Sequence, residues 1–262
     1  MNVAYNMDCV KYMETVNDCT LDLTVTSPPY DNIRDYNGYT FDYKKTIEHL
    51  YRVTKRGGVV VWIVSDQTVD GSETCTSFKQ CLYAKECGFN VHDTMIWKKD
   101  SCSFPEAVRY YPVFEYMFVW SKGRPKTFNP IEDRANKCAG LSVYGTFREK
   151  DGKTRNRNET WKSTICKQYG SRFNVWEIPS EKNNTTGHPA VFPLSLAKDH
   201  IRSWSNKDEL VFDPFLGSGT TRIAAHDLYR QFVGCEIDKT YFDRQEERFK
   251  RHTAQGRLFD YL

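Results

Sequence analysis

Apolar and polar positions alternate along Leu21-Asp22-Leu23-Thr24-Val25-Thr26, a stretch rich in β-branched residues that stops at Ser27-Pro28-Pro29-Tyr30. Two successive prolines cannot continue ladder pairing, so the pattern predicts a strand that ends in a rigid loop. Between Tyr43 and Thr54 the apolar positions Ile47, Leu50, Tyr51 and Val53 fall at near-helical spacing. Gly57-Gly58 closes that segment before the continuous apolar run Val59 to Val64. A helix feeding a buried strand is the economical reading. A further helix is predicted over Phe78–Cys87, stopped by Gly88, with strands over Thr94–Trp97 and Tyr116–Trp120. Strands alternating with helices at this spacing imply an α/β domain built on a parallel sheet.

From Lys122 to about Asn184 the pattern changes to Lys, Arg, Asn, Gly, Ser and Thr with sparse aromatics, as in an insert with its own architecture. Alternation resumes with a helix near Pro193–Trp204, a strand at Leu210–Phe212, a helix over Thr220–Leu228, a strand at Gln231–Glu236 and a final helix over Lys239–His252. The expected organisation is therefore a first half over residues 1–121, an insert over 122–184 and a second half over 185–262. No repeat or low-complexity tract interrupts it.

Composition adds exclusions. The longest apolar run, Val59–Val64, falls far short of the ~20 residues that cross a bilayer, and the first residues lack the basic and apolar regions of a signal peptide. Nine cysteines, an odd number without a Cys-x-x-Cys pair, suggest neither a disulfide framework nor a zinc ribbon. No metal is expected, and free thiols fit a reducing cytoplasm. The net charge of +3 looks nearly neutral. Its distribution does not: residues 122–172 hold 13 Lys/Arg against 5 Asp/Glu, a local +8 that leaves −5 for the rest of the chain.

Two segments carry candidate chemistry. The first, Leu210-Val211-Phe212-Asp213-Pro214-Phe215-Leu216-Gly217-Ser218-Gly219-Thr220-Thr221, reads as strand, glycine turn and helix start. Glycines there admit a ligand close to the backbone, and a helix N-terminus offers unpaired N–H donors. A phosphate-binding loop needs a Lys that is absent near Gly219, and Arg222 stands where a dinucleotide fingerprint wants its third glycine. Glu236, at the end of the next strand, stands where a carboxylate can accept both hydroxyls of an adenosine ribose, a simple αβ turn with a solvated Glu being the alternative reading of this segment alone. In the second segment, Ser27 offers a hydroxyl oxygen, Pro28 a carbonyl and Tyr30 a flat face. Taken alone the loop reads as a rigid turn or a polyproline-like recognition segment, but an exocyclic amine pressed against it could donate its hydrogens to the two oxygens while its ring stacks on Tyr30.

The combination resembles the DNA amino-methyltransferases, whose catalytic (D/N/S)-P-P-(Y/F) motif is matched by Ser27-Pro28-Pro29-Tyr30 and whose F-x-G-x-G motif is matched by Phe215 to Gly219. The order, catalytic loop first and glycine loop last with a recognition segment between, is similar to the β group of that family. Asn6-Met7-Asp8-Cys9 and His188 to Pro193 are further likenesses. The resemblance implies a circularly permuted Rossmann-like sheet with an inserted target-recognition region. It implies S-adenosyl-L-methionine as cofactor, with Asp8, Asp213, Phe215, Gly217, Ser218, Gly219, Thr220 and Glu236 around it. It also implies double-stranded DNA as partner with base flipping, a homodimer as frequent assembly, and a bacterial or phage-encoded role of the restriction-modification kind. The strand Val3-Ala4-Tyr5 is expected to complete the permuted sheet beside Gln231–Glu236.

Within the insert, Lys122, Arg124, Lys126, Arg148, Lys153, Arg155 and Arg157 are the expected phosphate or base contacts. Ser at the first motif position leans, in the family, towards the N4 amine of cytosine; the N6 amine of adenine is the alternative. Ring-carbon methylation would require a thiolate, normally after a Pro, and no Cys here follows one. A non-catalytic DNA-binding module, and an enzyme of RNA or protein glutamine, are competing classes that the intact motifs and their order disfavour. Asp22 and Asp31 read as capping or solvated acids and His188 as structural. Gln255-Gly256-Arg257-Leu258-Phe259 loosely resembles a sliding-clamp peptide, but a terminal helix is the better reading.

Overall fold

The computed structural model describes residues 1–29, 41–102, 107–142, 145–156, 165–181 and 191–259; Tyr30, Asp31, Arg157 and His188 lie outside the described residues. In chain order the elements are β1 (Asn2–Tyr5), α1 (Cys9–Thr15), β2 (Leu21–Thr26), α2 (Tyr43–Val53), β3 (Thr54–Val64), β4 (Thr68–Val69), β5 (Ser72–Glu73), α3 (Thr76–Glu86), β6 (Asn90–Lys98) and β7 (Phe114–Ser121). They continue with β8 (Arg134–Ala135), β9 (Thr146–Arg148), β10 (Thr154–Asn156), β11 (Tyr169–Gly170), β12 (Val175–Glu177), α4 (Leu194–Trp204), β13 (Leu210–Asp213), α5 (Thr220–Asp227), β14 (Gln231–Cys235) and α6 (Lys239–Phe259).

Two compact units emerge, one of residues 1–129 with 174–262 and one of residues 130–173. The larger contains an eight-stranded sheet in the order β1-β14-β13-β2-β3-β7-β6-β12. β1 lies parallel to β14, with Val3 opposite Val233, so the first strand of the chain flanks the last one, as a permuted sheet requires. The large sheet is parallel, as the alternation of strands and helices implied, except at β7, which runs antiparallel to both β3 and β6. A parallel crossover is usually carried by a helix, and among the described residues of the 99–113 connection between β6 and β7 there is none.

The amphipathic patterns act as expected. α2 buries Thr46, Ile47, Leu50 and Val53, its i, i+1, i+4 and i+7 face, and Asp42 caps it by accepting the Lys44 and Lys45 N–H groups. The apolar run of β3 is buried from Val59 to Val64, which suits a strand covered on both faces. Trp62 and Trp120 stack across β3 and β7 with ring centroids 5.2 Å apart, and the Trp62 indole N–H is satisfied by Gln80 at 2.8 Å. Asp22, part-buried in β2, accepts the Leu210 N–H and pairs with Lys55 at 2.8 Å. That is a structural acid tying β2 to its two neighbours.

In the smaller unit, two short antiparallel pairs are described, β8 with β11 and β9 with β10. β12, which falls within the 122–184 stretch, pairs instead with β6 at the edge of the large sheet. Among the described residues no helix is long and apolar enough to cross a membrane.

Candidate active site

β2 and β13 are neighbours and parallel, with Phe212 opposite Thr24, so both deliver their following loops at the same carboxyl edge of the sheet. Ligands in open α/β sheets bind at that edge, outside the strand ends. The two loops are also joined directly. The Thr26 hydroxyl donates to Asp213 Oδ1 at 2.7 Å, and the Phe215 N–H donates to the same oxygen at 3.1 Å. Burial pushes the Asp213 carboxyl up to about 6, against the pull of those donors and of Thr221. Asp213 is therefore an internal brace between the motif loops, and its side chain does not reach the cavity they border.

That cavity, about 610 Å³, is lined on one side by Ser27 and Pro29 and on the other by Phe215, Leu216, Gly217, Ser218 and Thr220. Asp8 and Glu236 complete the predicted residues on its wall. Pro28 is buried beneath its neighbours, and Gly219 turns away, with its backbone at φ +81° against Gln245. Ser218 and Thr220 share a hydroxyl contact of 3.1 Å, and both are held by the Arg248 guanidinium, 2.8 Å from the Ser218 carbonyl. Arg248 is a supporting position that spacing could not reveal, because it lies on α6, a different helix from the one that the motif begins.

Glu236 is 8% exposed, and each of its oxygens accepts one backbone N–H, Gly217 at 2.8 Å and Asp238 at 2.9 Å. Burial raises its carboxyl to about 7; the two N–H groups oppose this and the Asp238 and Asp213 carboxylates reinforce it. A carboxylate offers about four lone-pair sites, so two remain for ligand hydroxyls. Asn6 staples this corner, donating to the Glu236 and Ile237 carbonyls at 2.8 and 3.1 Å, while Asp8 caps α1 through the Lys11 N–H. The acidic turn after β1 and the ribose-type acid after β14 are thus neighbours because β1 pairs with β14.

Sequence reasoning missed Asp42, Thr46 and His49 of α2, and Asp238 and Tyr241 of the α6 start, all on the cavity wall. Asp42 and Asp238 are visible as helix caps in sequence; that their helices open onto one cavity is a tertiary fact. Cys9 and Cys235 also line the cavity, and burial raises both thiols, that of Cys9 to about 12. Protonated thiols are poor nucleophiles, which agrees with chemistry that uses no cysteine.

The cavity fits S-adenosyl-L-methionine by the chemistry of its donor set. Its volume lies within the ~300–1,000 Å³ of small-ligand pockets. Asp8, Asp42, Glu236 and Asp238 suit a cationic, hydroxyl-bearing ligand, Phe215, Ile237 and Phe192 offer apolar surface to a flat ring, and Gly217 permits close backbone approach.

The basic positions divide. Lys122 follows β7 at the opposite, amino edge of the sheet, where its ammonium donates to the Tyr51 carbonyl at 2.7 Å and stands over the Tyr51 ring. Arg124 and Lys126 are exposed near it, with the Lys126 N–H bonded to Gly57. None of these three is brought to the cavity. Arg148, Lys153 and Arg155 sit on the β9–β10 hairpin of the smaller unit, where Arg155 pairs with Glu149 at 3.0 Å and Arg148 donates to the Gly152 carbonyl.

Comparison with known proteins places these features in context. A family model described as DNA methylase matches residues 21–247. The orphan methyltransferase M.BamHII of Bacillus amyloliquefaciens is 52% identical over 247 residues, which span 91% of this chain and 92% of that protein. The type II methyltransferase M.BglII of Bacillus subtilis is 26% identical over 274 residues, 93% of this chain and 67% of that one. Among solved structures, the PvuII DNA methyltransferase (cytosine-N4-specific) superposes with a TM-score of 0.69 at 18% identity, covering 94% of this chain and 85% of that chain. A DNA modification methylase of Thermus thermophilus, solved with S-adenosyl-L-methionine, gives a TM-score of 0.65 at 23% identity, covering 96% of this chain and 94% of that chain. At such identities the two structures speak to the fold, which is the Rossmann-like fold described above.

Proposed function

This chain belongs to the DNA methylase family of N6- and N4-directed amino-methyltransferases, and from that premise we propose that it methylates the N4 amine of cytosine in double-stranded DNA, with S-adenosyl-L-methionine as donor. The observation that carries the reading is the junction of the two motif loops: Thr26 and Asp213 lock Ser27-Pro28-Pro29 to the wall of a cavity whose far side is Glu236. A neutral hydroxyl heads the catalytic loop, as the family's cytosine-directed members prefer, and the fold of the cytosine-N4-specific PvuII enzyme gives further support.

When bound, the cofactor supplies an electrophilic methyl group on a positively charged sulfur. The chain's own residues then orient the amine. Ser27 Oγ and the Pro28 carbonyl accept its two hydrogens, which turns the nitrogen lone pair out of conjugation and towards the methyl carbon. On methylation the amine would release one proton to solvent while Ser27 and the Pro28 carbonyl keep it oriented. Tyr30 is assigned to stack on the flipped base. Positioning of this kind can supply roughly 7–11 kcal/mol without a strong base. The unit of residues 130–173 serves target recognition, with Arg148, Lys153 and Arg155 among its DNA contacts.

Incubation of the protein with unmethylated bacterial DNA and labelled S-adenosyl-L-methionine, followed by nucleoside analysis, tests the reading. Label in 4-methylcytosine is expected. Label in 6-methyladenine would move the substrate to adenine, and no label in either would refute the enzyme reading.

A further inference from the structure

The carboxyl edge that holds the cavity carries a second feature, at the connection between β6 and β7. Lys98 lies opposite Phe114, and Val64 of β3 opposite Tyr116, so this connection leaves from the edge at which β2 delivers Ser27 and β13 delivers Phe215. The Lys99 N–H closes its base on the Val113 carbonyl at 2.6 Å. Beyond that closure Val108 is 88% exposed, Tyr110 is wholly exposed and Tyr111 is 60% exposed. Large aromatic side chains are ordinarily well buried, and an apolar cluster held in water marks an interaction site more often than chance.

The cluster is tied to a neighbouring turn. The Arg109 guanidinium donates to the Gly71 carbonyl, in the turn between β4 and β5, a hairpin that follows β3 off the same edge. Along β7, which follows the cluster, the rings of Phe114, Tyr116 and Phe118 stand in a ladder with centroids 5.4 Å apart at each step, and Phe78 of α3 packs on Tyr116 at 5.2 Å.

Position selects the partner. In the sheet order β2, β3 and β7 are successive neighbours, which sets β7 two strand spacings, ~10 Å, along the edge from β2. That offset is smaller than the ~12 Å width of a DNA major groove. A duplex that delivers a nucleotide to Ser27 thus lies across this connection. Tyrosine rings stack on any base, and aromatic or apolar wedges are a general means of supporting unstacked base steps.

Resting on the DNA-methylating reading, we propose that Tyr110 and Tyr111 form a stacking wedge for the target duplex, packing against the base step next to the extruded nucleotide and occupying the space it leaves. They act on the position of the DNA and not on the reacting atoms. The stacking needs the rings and not the hydroxyls, so phenylalanine substitutes for both.

The test compares the full chain with the double variants Tyr110→Ala/Tyr111→Ala and Tyr110→Phe/Tyr111→Phe. Labelled methyl transfer is measured into genomic DNA from a methylation-deficient bacterium, with cofactor affinity by calorimetry, melting temperature, and sedimentation velocity. The alanine pair is expected to lose roughly 10- to 100-fold in kcat/KM for DNA with the other three readouts unchanged, and the phenylalanine pair to stay within about two-fold of the parent. Should the alanine pair melt lower, the single Tyr110→Ala variant, at the wholly exposed position, repeats the test without a packing change. Alanine variants as active as the parent overturn the wedge while leaving the methylation reading intact. A loss of activity that comes with a changed sedimentation coefficient overturns it too, assigning the face to a second copy of the chain. No methyl transfer by the parent protein removes both readings together.

Discussion

Asp213 and Glu236 show how far one side chain's role depends on what covers it. Both stand at strand ends where a family motif wants an acid, yet Asp213 is sealed beneath the loops and Glu236 faces the cavity. Thr26→Val removes one of the donors to the buried Asp213 carboxyl and leaves it the Phe215 N–H and Thr221; loss of that single hydrogen bond costs ~1 kcal/mol, to be read as a lower midpoint in chemical denaturation. The two acids also set a pH dependence. Their carboxyls are raised by burial to about 6 and about 7, so the fold favours their protonated forms. That stability is fully present below the ordinary carboxylate range and is lost as pH rises through about 6 and then about 7. Denaturation midpoints of the ligand-free protein should fall between pH 5 and pH 8, and Glu236→Gln should shrink the fall. Cofactor affinity should move the opposite way, tightening as Glu236 ionises, and calorimetry across the same range should find that trend flattened in Glu236→Gln.

At the level of elements, the glycine turn before α5 was legible as a motif, but the division of labour inside it was not. Gly217 presents its N–H to Glu236, whereas Gly219 caps α5 at φ +81°, and a Cβ there would lie 3.2 Å from the Gln245 Cβ. Gly219→Ala should therefore cost ~1–2 kcal/mol from the left-handed backbone and weaken cofactor binding through the displaced turn, seen as a lower melting temperature and a raised dissociation constant. Elements with a clean period, such as α2, β2 and the apolar run of β3, stand where their patterns put them. β6 begins earlier than Thr94: Asn90, Val91 and Asp93 pair with β7, but Asn90, Val91 and His92 are exposed, so no apolar period marks this first part of the strand. The antiparallel direction of β7 could not be read from the pattern, since hydrophobic period reports burial and is blind to which way a strand runs.

For the whole molecule, the joining of both chain ends to one sheet edge is the central feature, and Arg222 clasps it. Only 5% exposed, it donates to Asn2 at 2.7 Å and to Gln245 at 2.9 Å, pairs with Glu246 at 2.5 Å, and lies over the Phe249 ring. It thereby links β1, α5 and α6. Arg222→Met removes a charge from a largely buried pair and should lower stability by ~2–4 kcal/mol, measured by chemical denaturation, with methyl transfer retained at low temperature. At this scale the charge division also changes meaning. The segment of +8 contains Lys122, Arg124 and Lys126, which the fold leaves at the amino edge of the sheet, away from the cavity.

By itself the sequence determined the strand that ends in Ser27-Pro28-Pro29, the glycine turn, the acid at Glu236 and the presence of an inserted basic segment, because each is a local pattern of period, ring constraint or backbone freedom. The tertiary structure alone decided that Asp213 is a brace, that Arg248, Asp42 and Asp238 border or support the cavity, and that two exposed tyrosines share its edge. These depend on which strands become neighbours, and pairing between residues 187 positions apart, as in Thr26 with Asp213, leaves no mark in local sequence.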